Sequence, residues 1–378
     1  VANFVKSVEY VEITLTSATQ QSANLTKSQD IANCVPFSTF NTNSSVDDRI
    51  ERRYAEVFFE AGPKVTADRN AGTTSTIIVG IFVVEFDVTG NISVQQGTWS
   101  MASVTSDDVA ITDVIDTTKA FTVINYKHTS GTDDWNDAQI KVVFNTTTEL
   151  GFDRVAGDGT VTGRYYIVVT SGTDFSVQHD QIAVGSTDET ATAVISAVTL
   201  ASSFLVNSYQ CQHGVGSVRD GSFVVDISTT TAVRARRAFN DFGDTTADGA
   251  AADAATVETQ VVSAGGSEFT AERAECNWAD SLTKAVAVTE IDQTKAIVIA
   301  GGFQGTMSCN ETASTDLDGN YGIMDFTSDT EVTGTRASNT APDGTTMFEV
   351  VEWALTGVAA NPKGPLGMPL AGPFGGPI

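Results

Sequence analysis

Cationic and titratable side chains are scarce in this chain. Its 378 residues include three histidines, four cysteines and 21 lysines and arginines against 47 aspartates and glutamates, a net charge of −26. The shortage of cations argues against nucleic acid as a partner, because that binding depends on Lys and Arg neutralising phosphates. It argues equally against adhesion to an anionic membrane surface. The acidic excess favours solubility in a crowded or salty medium. Long hydrophobic runs are also missing. The two longest, 77–84 and 296–303, are broken by glycines, and a transmembrane helix needs roughly 20 apolar residues. The opening residues, Val-Ala-Asn-Phe-Val-Lys, contain no signal-peptide hydrophobic region.

The same scarcity limits the chemistry. Cys34, Cys211, Cys276 and Cys309 are too unevenly spread to place a disulfide in every unit of a repeat. Buried thiols are expected, with a Cys276–Cys309 bridge as the alternative. His128, His179 and His213 belong to no His-x-x-x-His or Cys-x-x-Cys arrangement, and Cys211-Gln-His213 offers only two ligands, so no zinc site is expected. No Gly-x-Ser-x-Gly elbow occurs. Gly157-Asp-Gly159 with Gly163 reads as a hairpin turn rather than a nucleotide loop. Asp316-Leu-Asp-Gly-Asn320 begins like a calcium loop but has Tyr321 at the glycine position and Thr327 at the glutamate position. An irregular Ca²⁺ site on Asp316 and Asp318 is the one metal site left open; otherwise no cofactor is expected. Asp133, Asp134 and Asp137 around Trp135 read as an acidic turn rather than a catalytic pair across a cleft.

What the chain does contain is a repeat. Val65-Thr-Ala-Asp-Arg69 recurs as Leu150-Gly-Phe-Asp-Arg154, Val233-Arg-Ala-Arg-Arg237 and Val332-Thr-Gly-Thr-Arg336, with the arginines 85, 83 and 99 residues apart. A polar loop follows each, then an apolar strand: Ile81–Phe86, Tyr166–Val169, Gln260–Val262 and Phe348–Trp353. A second shared element precedes each arginine, clearest in Asp116-Thr-Thr-Lys119-Ala-Phe121 and Asp292-Gln-Thr-Lys295-Ala-Ile297. Thr199–Phe204 is a degraded copy and Asn24–Ser28 the weakest. The period implies four tandem units of about 85–95 residues.

Short runs rich in Val, Ile, Thr and aromatics, separated by Gly/Asp/Thr turns, imply strands. Among them are 8–15, 54–59, 77–86, 109–114, 120–126, 139–144 and 165–169. The fold class expected is all-β: four tandem antiparallel β-sandwich repeat domains plus an extended C-terminal tail. The units run 1–92, 93–175, 176–266 and 267–355, the third carrying a low-complexity loop insertion at 241–255. Asp116 and Asp292 should each accept backbone N–H bonds in an Asx-turn. Arg69, Arg154, Arg237 and Arg336 share a strand face with an apolar residue four positions earlier. Their stems should lie on the sandwich and their forks hold carboxylate or backbone oxygens. From 356 the chain changes character, with five of its eight prolines in 361–378. That composition precludes helix and central strand. Leu366, Met368, Leu370, Phe374 and Ile378 give this strap apolar teeth for anchoring on a partner.

The repeat resembles one found in virion structural and fibre-like proteins of tailed phages. The likeness rests on the Asp-x-Thr-Lys-Ala element, Val-x-x-x-Arg, and Val83-Val-Glu-Phe86 followed by Val94-Gln-Gln-Gly97, echoed by Val177-Gln178 and Val350-Val-Glu-Trp353. Ser202 stands where the lysine would be, and the third unit lacks Val-Val-Glu. The resemblance implies a non-enzymatic particle protein, a tail fibre, adhesin or head spike or decoration. It would be anchored to other virion proteins through 356–378 and located in the virion. A homo-oligomer, with a trimer as one candidate, is expected because edge strands of sandwiches pair with neighbouring chains. The competing reading is a carbohydrate-binding or cell-surface adhesin protein that presents Trp99, Trp135, Trp278 and Trp353 to a host-surface glycan.

Overall fold

The computed structural model describes residues 4–16, 19–42, 54–70, 76–129, 135–186, 188, 190–212, 222–237, 254–278, 281–301, 308–309, 322–337 and 344–354. Those residues form an all-β architecture of eight small antiparallel sheets in four repeated, sandwich-like pairs. The first block contains β1 (Val5–Leu15), β2 (Gln20–Asn24), β3 (Cys34–Thr42), β4 (Glu56–Glu60), β5 (Lys64–Asp68) and β6 (Ile77–Phe86). The second contains β7 (Ile92–Ala102), β8 (Ser106–Ala110), β9 (Ala120–His128), β10 (Lys141–Thr146), β11 (Glu149–Asp153) and β12 (Thr160–Thr170), with one helical turn, α1 (Trp135–Ala138). The third contains β13 (Phe175–Val184), β14 (Thr190–Val194), β15 (Ser203–Cys211), β16 (Phe223–Thr229), β17 (Ala232–Arg237) and β18 (Ala255–Ala264). The fourth contains β19 (Phe269–Asn277), β20 (Thr283–Ala287), β21 (Ala296–Ala300), β22 (Ser308–Cys309), β23 (Gly322–Ser328), β24 (Glu331–Arg336) and β25 (Gly344–Trp353).

With the short β22 left out of the count, in every block the sixth and last strand lies between the first and third, and the fifth lies between the second and fourth. Block one thus has sheets β1-β6-β3 and β2-β5-β4, and the other blocks repeat that order; β22 adds a short pairing to β25. The chain therefore changes sheet between its fifth and sixth strands. This corrects the hairpin reading of Gly157–Gly159. That segment carries the chain from β11 to β12, which lie in different sheets, and Gly159 takes a positive φ of 71°. Gly163 is not in a turn but inside β12, where a Cβ would lie 2.7 Å from the Trp99 ring and from the Asn125 carbonyl oxygen. The strand expected over 109–114 begins earlier, at Ser106, and stops at Ala110, where β8 runs out of β11 to pair with.

The central sixth strands have two buried faces. In β6, Ile77, Val79, Ile81 and Val83 cluster with Val57, Val65 and Ala67 of the facing sheet. The alternate residues Phe82, Val84 and Phe86 join a different cluster, shared with Phe121, Phe175, Phe204 and Trp353 of the other blocks. Period-two alternation thus supplies two cores, not a core and a wet face. The shared cluster is aromatic. Phe4 lies 5.4 Å from Trp353 and 5.9 Å from Phe175, while Phe204 lies 5.8 Å from Phe121 and 5.7 Å from Trp353. All four blocks contribute rings to it. The fourth strand of each block lies on central or third strands of the next: β4 on β9 and β12, β10 on β15 and β18, β16 on β25. β23 in turn lies on β3 and β6, so the contacts close in a ring.

Candidate functional site

The four repeated arginines are buried at the ends of the fifth strands, exposed by only 1–3%. Each bonds carbonyl oxygens of the turn joining its block's first two strands. Arg154 donates from Nε to Val104 O (2.8 Å), and its other nitrogens reach Asp137 O, Asp158 O and Gly159 O at 2.9–3.2 Å. Arg69 reaches Thr16 O (2.5 Å), Arg237 the carbonyls of Asp188 and Gly185, and Arg336 Ser281 O (2.8 Å). The guanidinium suits this task because it offers five donors in a fixed plane and stays charged even where burial lowers its pKa, as it does at Arg154. Val65, Leu150, Val233 and Val332, four residues earlier, are buried on the same face.

The second shared element is a turn before each third strand. Asp116 Oδ1 accepts from Thr118 N (2.9 Å) and Oγ1 (2.7 Å), and Asp292 Oδ1 from Thr294 N (3.0 Å) and Oγ1 (2.6 Å). These bonds hold both carboxyls below their usual range. Lys119 donates its backbone N–H to Asp116 O, and Lys295 does the same to Asp292 O. Lys295 Nζ also pairs with Glu352 at 3.0 Å. The first block's version is Asn33 N to Asp30 O, not the Asn24–Ser28 segment. Asn24 ends β2, and the Asn-Leu-Thr-Lys match there is coincidental.

Aligned on that turn, the blocks reveal positions the sequence reading missed. The fifth residue of β7, β13 and β19 is Gln96, His179 and Arg273, and each spans two carbonyls of the preceding block. Gln96 Nε2 donates to Ile31 O (2.7 Å) and Cys34 O (3.0 Å). His179 Nε2 lies 2.9 Å from Thr117 O and 3.1 Å from Ala120 O. Arg273 reaches Leu200 O (2.7 Å) and Ser203 O. These carbonyls occupy the same two places in each turn; only the donor differs. Beside them, on the central strands, Tyr166 OH donates to Val57 O (3.0 Å), and Gln260 bonds both N and O of Thr122 (2.7 and 2.9 Å). Glu349 accepts from Leu205 N (2.6 Å) and forms an ion pair with Arg273 Nε at 2.6 Å. Burial pushes the Glu349 carboxyl up while Arg273 opposes the rise. No shared letter marks these positions, and register on the turn is the only signal that could have found them.

Two openings lie at the junctions. A cavity of about 60 Å³ sits where the third strands of all four blocks meet, lined by Thr39, Asn125, Asn207 and Ala300 among others. Asn125 bonds Ser38, and Asn207 Nδ2 donates to Gly301 O (3.1 Å). It has room for a few waters. A wider cleft of about 300 Å³ lies between blocks two and three, against His179 and Glu258.

The remaining groups are structural. His128 is buried against Ala138 O (3.1 Å), and burial lowers it to about 4. Cys34, Cys211 and Cys276 are buried free thiols, and the side chain of Cys309 lies outside the described residues. Burial pushes the Cys276 thiol up to about 12. Trp99, Trp278 and Trp353 are buried, Trp99 stacked on Phe152 at 4.5 Å and Trp278 under Arg336. Among the described residues no group of His, Cys, Asp or Glu is arranged to hold a metal, and no helix is long and apolar enough to cross a membrane. Asp316, Asp318, His213, the 241–253 stretch of the insertion and the strap residues Leu366, Met368, Leu370, Phe374 and Ile378 lie outside the described residues. No protein-family model matches this sequence, and no curated protein matches it.

Proposed function

We propose that this chain is a non-enzymatic structural protein of a tailed-phage virion. It is a multi-domain appendage of four β-sandwich repeats, fixed to the particle through 356–378 and bound there to other virion proteins. The observation that carries this reading is how the chemically capable side chains are used. The buried arginines, His128, His179, Gln260 and Glu349 are engaged with backbone groups or with each other, and they hold strands and blocks in place. A scaffold that must keep its shape under load needs those bonds; a catalyst needs such groups uncommitted and facing substrate. The repeat's resemblance to phage fibre-like proteins adds direction, and many copies on a particle would multiply weak contacts. The glycan reading gains nothing from Trp99, Trp278 and Trp353, whose rings are inside.

The test is rebinding to purified virions stripped of the protein, comparing the full chain with one ending at Leu355. The full chain should bind and the shortened one should not. If both bind equally, the anchor is in a block. If neither binds, the virion reading is wrong.

A further inference from the structure

The cleft between blocks two and three has a filled counterpart between blocks one and two. Both are built from the fourth strand of one block and the central strand of the next, so their side chains correspond. Between blocks one and two, Glu56 of β4 pairs with Arg164 of β12 at 2.6 Å. Phe58 covers that guanidinium, its centroid 4.8 Å from Arg164 Cζ. The matching positions one junction further on are Lys141 and Val143 of β10 and Glu258 of β18, aligned through the β10–β11 and β4–β5 registers and the central strands. The charges have changed sides, but the pair is not made, because Lys141 turns to Asp153 at 3.2 Å. Val143 supplies no ring to close the gap. The opening is the cleft of about 300 Å³ bounded by Val143, Phe144, His179, Asp180, Gln181 and Glu258.

Glu258 is only 6% exposed, and its Oε2 accepts no hydrogen bond. Gln181 bonds the same carboxyl. A buried carboxylate oxygen without a partner is costly. Burial pushes this group up to about 7, with Asp180 adding to the rise and Lys141 opposing it. His179 does not supply the missing charge. Its Nε2 faces two carbonyl oxygens, and burial lowers its pKa, so it stays neutral. Phe144 packs edge-on to that imidazole at 5.4 Å and gives the cleft an apolar wall.

We propose that this cleft binds an alkylguanidinium group, its planar fork on Glu258 Oε2 and Asp180 and its alkyl stem between Val143 and Phe144. Guanidinium is favoured over a compact ammonium because it pairs with carboxylates in the plane and stacks on rings. Such a group belongs to an arginine side chain of a partner polypeptide or to a free small guanidine. The site does not depend on the assignment to a virion.

The test is an NMR titration of the full chain at about pH 7.5, where Glu258 is mostly ionised. The probes are N-ethylguanidinium and its uncharged isostere N-ethylurea. Ethylguanidinium should shift β13 and β18 amides saturably, and ethylurea should bind at least about tenfold more weakly. Glu258→Gln should weaken ethylguanidinium by a similar factor. Val143→Phe, which restores the ring present at Phe58, should block it with the melting temperature unchanged or raised. Ethylurea binding as well as ethylguanidinium, or full affinity retained in Val143→Phe, would overturn the proposal. Acetyl-arginine-amide distinguishes the sources: tighter binding than ethylguanidinium assigns a polypeptide, and equal binding assigns a free guanidine.

Discussion

Three of the four junctions join blocks that follow one another in the chain; the fourth joins the last block back to the first. The first three are each held by a polar donor at the same place, Gln96, His179 or Arg273, gripping two carbonyls. At the closing junction the equivalent residue is Tyr10. Its ring packs on Phe82 at 4.8 Å and its hydroxyl bonds nothing. That seam is held by Phe82 against Phe326 at 5.7 Å, by Asn41 Nδ2 to Thr335 O at 3.2 Å, and by a long contact from Met324 N to Thr39 Oγ1 at 3.4 Å. It also carries a like-charge burden. Asp325 is pushed up to about 6 by burial, with Glu12 adding to the rise. Junctions between consecutive blocks start with their partners held close by short links. The seam must recruit its partner from the far end of the chain, and among the described residues it does so through ring packing and two single hydrogen bonds rather than one donor gripping two carbonyls.

Breaking the strongest staple should have the largest effect. Arg273→Ala leaves Glu349 buried without its cation and two carbonyls without a donor. Urea denaturation should show a loss of about 3–5 kcal/mol. His179→Ala removes a neutral donor from two carbonyls and should cost about 1–3 kcal/mol by the same measurement. The seam should respond in the opposite direction. Because the Asp325 carboxyl is raised in the folded chain, that chain keeps a proton the unfolded chain has released. Its contribution to stability therefore falls as pH rises from about 4 to about 6, and it is level above that. Asp325→Asn should remove the fall and stabilise the chain near pH 8. The gain should be on the order of 1 kcal/mol once solvent screening at this half-buried site is counted. Thermal melts of the two proteins across that pH range would check it, and parallel curves would contradict the seam's charge burden. Gln96→Ala, at an exposed position, should cost least, about 0.5–1 kcal/mol.

Much of the local structure was legible. The arginine spacing marked the end of every fifth strand, because an apolar residue and an arginine four positions apart share one strand face. Alternation and turn residues located most of the strands. Legibility failed where letters stood in for geometry. The lysine of Asn24–Ser28 drew the first block's turn to the wrong place. The feature present in all four blocks is a backbone bond from the fourth residue of the turn to the first, and within this turn the Asx-type side-chain bonds occur only at Asp116 and Asp292. The junction donors were invisible for the same reason. Glutamine, histidine and arginine share no letter, yet each can present N–H to a pair of carbonyls.

By itself the sequence determined the all-β class, the period, the place of the repeated arginines beside an apolar residue on one strand face, and the acidic charge. All of these follow from interactions within a strand, a turn or a single repeat. The structure chose backbone carbonyls over carboxylates as the arginines' partners. Only the tertiary structure decided that the sixth strands are buried on both faces, that rings from four blocks meet around Trp353, and that β23 returns to β3 and β6. Those outcomes depend on residues hundreds of positions apart, as at Thr39 and Met324. A period-two pattern specifies which side chains share a face but not what each face will meet.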